Sequence, residues 1–268
     1  MHRPKPPLSL KSSPLVYVVA QVRFSPVESI AKYIPAIQDE FRRQYPRFTK
    51  GETKCVRIGA TTEVSAVPRY EFQDRDRQCG IVLQADSLSL HVSQYSSFDV
   101  FCSIFDYALR TVHSIVRLGL IDRIGLRYVD LVRPSKDEVL SDYLHQGLLG
   151  LTEAEVGARN ARRLVVYQAD TDSGVLQLRL SQRNDGGFLP PDIEPSPLAH
   201  PRMVMRRDEV ATLLDFDHFN EFTLKPVDFS TEVVLQYLWR LHENTDLAFR
   251  AAVTDHALKV WGGAHNAG

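Results

Sequence analysis

Apolar and polar residues alternate through Leu15–Phe24 (LVYVVAQVRF), a β-branched run with Val16, Val18, Ala20, Val22 and Phe24 on one face and Gln21 and Arg23 on the other. Pro14 opens this strand and Pro26 closes it. The period then lengthens. Ile30, Ile34, Ile37, Phe41 and Tyr45 recur every three or four residues, which predicts a helix whose regular part starts near Pro35, a residue tolerated in a first turn. CVRIGATTEVSAV, RYEFQD, GIVLQA and SLSLHVSQY return to strand composition between the turn-prone DRDRQ and AD, so an antiparallel meander is expected. Phe98, Phe101, Ile104, Phe105, Ala108, Leu109, Val112, Ile115 and Val116 then form the clearest helical stripe, with Asp99 placed to cap its start and Gly119 near its end.

At Arg123 the order restarts. RIGLRYVDLVRP is a strand stopped by Pro134, and DEVLSDYLHQGLL has helical spacing. RRLVVYQAD and GVLQLRLSQ make a hairpin across TDSG, and ATLLDFDHF is a further strand. DFSTEVVLQYLWRLHE is a helix entered through Asp228, Phe229 and Ser230, much as Phe98 and Asp99 enter the earlier one. Leu247, Phe249, Val253, Leu258 and Trp261 fall in one or two short helices that Gly262 and Gly263 stop. Both parts read strand, proline, helix, strands, helix. The expectation is an α+β protein of two related halves, 14–133 and 134–262, each a mainly antiparallel sheet with helices, arising by internal duplication. With 268 residues, 44% of them apolar, the chain has material for two ordinary cores. Residues 1–13, with three prolines, read as a mobile tail and 263–268 as a frayed one. The segment 184–201 holds five prolines and two glycines, so it reads as a long loop.

Composition narrows the function. Lys and Arg total 32 against 33 Asp and Glu, a formal charge of -1, so no bulk field draws the chain onto nucleic acid or an anionic membrane. No apolar run approaches the ~20 residues that span a bilayer, and the start lacks a signal-peptide core, so a cytoplasmic setting is expected. Cys55, Cys79 and Cys102 have no CxxC spacing and read as buried free thiols.

The candidate chemistry lies on strands. Asp215 and Asp217 in LLDFDHF alternate onto one strand face, where they could share a cation or an acid/base task, or hold nearby arginines. They echo the aspartate pair of haloacid dehalogenase-type phosphatases, but His218 and Asn220 replace the expected small residue and threonine, and too little chain follows. Arg123, Arg127 and Asp130, with Tyr128 beside them, offer planar guanidinium groups for a carboxylate or phosphate, or for Asp215 or Asp217; Arg23 joins them from the first strand. His91 shares a face with Ser89 and Ser93, so Ser, His and Arg could meet there, although no GxSxG elbow is present. His113, His218, His242 and His256 lack metal-ligand spacing and read as surface or capping residues. Three arginine clusters (Arg42, Arg43 and Arg47; Arg159, Arg162 and Arg163; Arg202, Arg206 and Arg207) would follow a phosphate backbone only if they converged on one face. No cofactor fingerprint and no metal motif is found.

SPLVYVVAQVRFSP, RIGLRYVDLV, LLDFDHF and LHENTDLAFRAAVTDHALKVWG together resemble a family of sporadically distributed bacterial proteins of about this length. RIGLRYVD is the most specific part: Arg123, Gly125, Leu126, Arg127 and Tyr128 follow the family pattern, while Asp130 takes a place often filled by Asn. The resemblance implies one shared architecture and no particular reaction. A patchy distribution is typical of mobile or defence-related gene clusters, which implies a partner-dependent role. The reading that results is a non-enzymatic binding or adaptor protein of the bacterial cytosol with a protein partner. The alternatives are a metal-dependent hydrolase or phosphotransferase using Asp215 and Asp217, with Arg127 holding an anionic substrate, and a nucleic-acid-associated module using the arginine clusters.

Overall fold

Because each alternates an apolar with a polar face, the two proline-stopped strands pair with each other. β1 (Leu15–Phe24) and β6 (Leu120–Val132) lie antiparallel at the centre of a ten-stranded antiparallel sheet, with Val19 opposite Arg127 and Arg23 opposite Arg123. The computed structural model describes residues 8, 10–58, 62–157, 159, 162–183, 187–193, 196–199, 210–222 and 224–262, with the backbone alone at 54–58, 62–65 and 211. On one side of the centre β2 (Arg47–Ile58), β3 (Thr62–Gln73), β4 (Cys79–Leu83) and β5 (Ser87–Val92) meander back to β1. On the other, β7 (Leu164–Thr171), β8 (Gly174–Arg183) and β9 (Ala211–Glu221) meander back to β6. The order is β2-β3-β4-β5-β1-β6-β9-β8-β7, and β10 (Val227–Asp228) adds a short pairing to β6. The segment 55–67, which reads as one strand, is instead the arms of the long β2–β3 hairpin. β2 starts early because Phe48 pairs with Phe72, ring centroids 5.2 Å apart.

All the long helices cover one sheet face. α1 (Ile34–Phe41) carries Pro35 in its first turn, and α2 (Phe98–Val116) and α5 (Thr231–Ala252) lie beside each other, α5 crossing β6 and β9. The apolar stripe of α2, from Phe98 through Phe105 to Val116, is buried there against Val18, Ala20, Val22, Ile124 and Leu126. Each large side chain so buried contributes ~1.5–3 kcal/mol before entropy. On the helix side the two halves thus share one core, to which both central strands and both long helices contribute, in place of the separate core expected for each half.

Caps and helix ends differ from expectation in several places. Ser97, not Asp99, caps α2, its Oγ accepting from the Val100 N–H at 3.3 Å, and the helix ends on Arg117 at φ 59 rather than on Gly119. DEVLSDYLHQGLL forms only one α-turn, α3 (Leu140–Tyr143), and one 3-10 turn, because Leu144 leaves the helix to bridge Val253 while Tyr143 and Leu144 become buried. A short turn, α4 (Glu153–Val156), precedes β7, and α5 runs on to Ala252 before α6 (Asp255–Val260) starts on its Thr254 cap.

The described parts of the 184–201 loop hold neither helix nor strand and lie on the opposite sheet face. Leu189 and Leu198 are buried there with Tyr17, Val129, Leu131 and Leu213. A register shift between Leu15 and Tyr17 turns Val16 toward this second cluster, away from the face that strict alternation assigns it. Of the segment read as a mobile tail, Leu10 packs on the main core and the Ser12 N–H donates to the Trp261 carbonyl at 3.0 Å. Positions 1–7, 9 and 263–268 lie outside the described residues. No helix among the described residues is long and apolar enough to cross a membrane.

The helix-end geometry is directly testable by chemical denaturation. Arg117 is exposed at positive φ, so Arg117→Gly should raise stability by roughly 0.5–1 kcal/mol. Gly119→Ala, whose new Cβ meets only Ser25 at 3.8 Å, should stay within about 0.5 kcal/mol of the parent.

Candidate functional site: a polar cavity on the open sheet face

Two-residue alternation divides the mid-chain motif between the faces of the sheet. Arg123, Gly125 and Arg127 face away from the helices, whereas Tyr128 and Asp130 point into the helix-covered side. The group of Arg123, Arg127, Tyr128 and Asp130 expected from proximity in sequence is therefore not one site. The strand register instead brings Gln21 of β1, Ser89 and His91 of β5, Arg69 of β3 and Asp217 of β9 alongside the two arginines. They line a cavity of about 340 Å³, with Asp192 and Ile193 of the loop on its wall.

Arg127 is the most heavily engaged group. Its Nε and Nη2 donate to the two carboxylate oxygens of Asp215 at 2.6 and 2.8 Å, and Nη1 and Nη2 donate to Asp192 at 2.6 and 3.1 Å. Arg179 stands 3.7 Å from Asp215, so the buried carboxylate sits between two guanidinium groups. Burial works against the Arg127 charge, but the two carboxylates outweigh it and hold the pKa above the ordinary arginine value. The same contacts draw Asp192 below the usual carboxylate range against its own partial burial.

Arg123 is held differently. Its guanidinium lies 4.3 Å above the Phe219 ring, makes one long hydrogen bond of 3.4 Å to Gln21 Oε1 and stands 3.5 Å from Asp217. Gly125 makes this pose possible, since a Cβ there would lie 2.8 Å from Arg123 Nη1. Burial lowers the Arg123 pKa, Asp217 opposes that and the like charge of Arg23 adds to it. Arg23 itself pairs with Asp86 at 3.0 Å and is half exposed.

Ser89, His91 and an arginine do meet on this face. Ser89 Oγ lies 2.8 Å from His91 Nε2, His91 Nδ1 lies 3.0 Å from the Tyr17 hydroxyl, and that hydroxyl lies 2.9 Å from Ser196 Oγ in the loop. Burial, with Arg69 nearby, takes the His91 pKa down to about 3. The chain ends on a serine rather than a carboxylate, so nothing in it stabilises an imidazolium; it fits a neutral relay that fastens the loop. Tyr17 and Asp192 were not legible as site residues. Their only signals are a strand irregularity and an acidic residue in a proline-rich loop.

The remaining candidates lie elsewhere. Tyr128 donates to or accepts from His242 Nδ1 at 2.9 Å, and His242 stacks on Phe98 at 3.9 Å. His218, read as a surface or capping residue, is fully buried between β9 and α5, bonded to Thr171 Oγ1 at 2.9 Å and to the Leu241 carbonyl at 3.1 Å. Asp130 is buried on the helix side, where desolvation and Asp215 push its pKa up to about 8. Burial raises the Cys79 and Cys102 thiols to about 12, while the Cys55 side chain lies outside the described residues. Asp215 and Asp217 each face an arginine, and among the described residues no group of three or more His, Cys, Asp or Glu is placed to hold a metal. Arg42, Arg43 and Arg47 lie by edge strand β2 and Arg162 and Arg163 by edge strand β7, so these clusters sit at opposite ends of the sheet. Arg202, Arg206 and Arg207 lie outside the described residues.

Two stability outcomes follow from these environments. Arg127→Met leaves Asp215 buried without its main partner and should cost roughly 3–5 kcal/mol, whereas Arg127→Met with Asp215→Leu should recover most of that loss in denaturant titrations. For Asp130 the unfolded carboxyl ionises near about pH 4, and the folded one near about 8. Between those values the unfolded state gives up a proton that the fold retains, so stability falls as pH rises and the whole cost is present above the folded pKa. Melting curves of Asp130→Asn should therefore match the parent near pH 4 and lie well above it at pH 9.

No protein-family model matches the chain, and no curated protein matches it.

Proposed function

We propose that this chain is a binding protein rather than an enzyme, and that the cavity on the open sheet face takes a small anion, a carboxylate or phosphate, with Arg123 as its anchor. The observation that carries this reading is the surplus of donors. Among the described residues Arg123 offers its forked N–H groups but makes one long hydrogen bond and a single ion pair, to Asp217 at 3.5 Å, and Arg69 Nε, 2.8 Å from Glu71, makes no hydrogen bond. Apart from Asp217, which faces Arg123 itself, the carboxylates nearby are engaged already: Asp215 and Asp192 by Arg127, and Glu71 by Gln73 at 2.9 Å. A ligand bringing acceptors would complete the set, and the volume suits a small molecule. The hydrolase alternative is not favoured, because guanidinium groups beside both aspartates would repel a cation and His91 is too weak a base to activate Ser89.

The matching order of the two meanders about β1 and β6 supports an internal duplication, with the ligand at the seam of the halves. The likeness to sporadically distributed bacterial proteins supports a cytosolic, partner-dependent setting in which ligand occupancy is read by a protein partner.

Calorimetric titration with inorganic phosphate, succinate and citrate tests the anion site. Binding by at least one of them is expected, and Arg123→Met should weaken it by about 10–100-fold, the worth of a charge-assisted hydrogen bond, with little change in Tm. Gly125→Ala should weaken it too by displacing the guanidinium. Failure of all three anions to bind, or undiminished binding by Arg123→Met, overturns the reading.

A further inference from the structure

The two edges of the sheet are not equally protected. β2 reads RFTKGETKCVRI, with a glycine and charges spaced along it, the kind of edge that resists pairing with another strand. β7 reads LVVYQADT and carries no charge before Asp170. Leu164, Val166 and Tyr167 on it are 76%, 55% and 56% exposed, and among the described residues β7 pairs with β8 alone. Its outer backbone groups follow from the register. The Gln182 N–H donates to the Arg163 carbonyl at 3.0 Å, so odd-numbered positions bond to β8, and Leu164, Val166, Gln168 and Asp170 turn their N–H and C=O groups outward.

We propose that two copies of this chain join β7 to β7 antiparallel about a two-fold axis through Val166, continuing one sheet across the dimer. The axis is normal to the sheet, so both helix layers stay on one side and both open faces on the other. In this register Val166 meets its own counterpart, and Val165 and Tyr167 each meet the other across the seam on the helix side. Arg162 comes opposite Asp170 of the second copy, and both of these are exposed in the single chain. The outward-pointing positions pair only with one another, as a continuous ladder requires. Shifting the axis to Tyr167 would set Leu164 against Asp170, an apolar side chain against a charge. Self-complementary charge at the two ends of an apolar strand is what selects a second copy over an unrelated extended peptide.

The full-length protein, measured by sedimentation equilibrium, should have about twice the 30.4 kDa of one chain. Val166→Lys, an exposed change that breaks the centre of the seam, should give a monomer that keeps the folded circular-dichroism spectrum of the parent and whose melting temperature no longer depends on concentration. Charge exchange gives a sharper measurement. Arg162→Asp and Asp170→Arg should each be monomeric alone, facing like charge with like, and should form a mixed dimer when combined in equal amounts. A monomeric parent at all concentrations up to the solubility limit, or a dimer that survives Val166→Lys and both charge variants, overturns the proposal. A monomeric parent that captures an extended peptide along β7 would assign the edge to a different occupant and overturn it equally.

Discussion

The register of β1 against β6 is the constraint on which the rest depends. Side chains alternate with a period of two, so pairing Val19 with Arg127 and Arg23 with Arg123 decides at once which residues meet the helices and which meet the opposite side. A slip by one residue would drive Arg123 and Arg127 under α2 and α5 and expose Ile124 and Leu126. Burying a guanidinium among those apolar side chains without a partner costs several kcal/mol, so the helix-side core and the polar face fix the same register from both sides.

On the open face the two arginines of β6 are held in different ways. Arg127 is saturated: two carboxylates from two different segments share its fork, and one of them, Asp192, belongs to the loop that closes the cavity wall. That pair ties a loop without secondary structure to the centre of the sheet, with Leu189 and Leu198 supplying the apolar part of the attachment and Tyr17–Ser196 a further hydrogen bond. Arg123, only four residues away, rests on an aromatic ring and a glycine instead of a carboxylate fork. The difference arises from Gly125, whose missing side chain lets the guanidinium lie over the strand rather than turn outward.

Much of this was legible in the pattern. The β1 and β6 strands, the TDSG hairpin, the α2 stripe and the pairing of Arg127 with an aspartate of LLDFDHF all follow from period, turn chemistry and the cost of a buried charge. The same period-two rule, applied to RIGLRYVD itself, separates Tyr128 and Asp130 from the arginines; proximity in sequence masked it. Tertiary contacts were not legible. The bridge from Leu144 to Val253 ends a helix that the spacing favours, and Asp192 becomes a site residue only because Leu189 and Leu198 dock the loop on the sheet. Nor does local sequence reveal that the two meanders share one core, because that depends on β1 and β6 being neighbours.

The positions of the cavity and of the β7 edge bear on each other. Adjacent strands stand ~4.8 Å apart, so three steps separate β7 from β6 by roughly 14 Å. A strand added to β7 therefore extends the sheet away from Arg123 and leaves the cavity open. The link between the two places is Arg179 on β8, which lies beside Asp215 and whose cross-strand neighbour on β7 is Val166. Ordering β7 at a seam would restrain β8, and β8 holds the second cation of the Asp215 group, so the rigidity of the Arg127 clamp and the order of the edge strand rest on the same pair of strands.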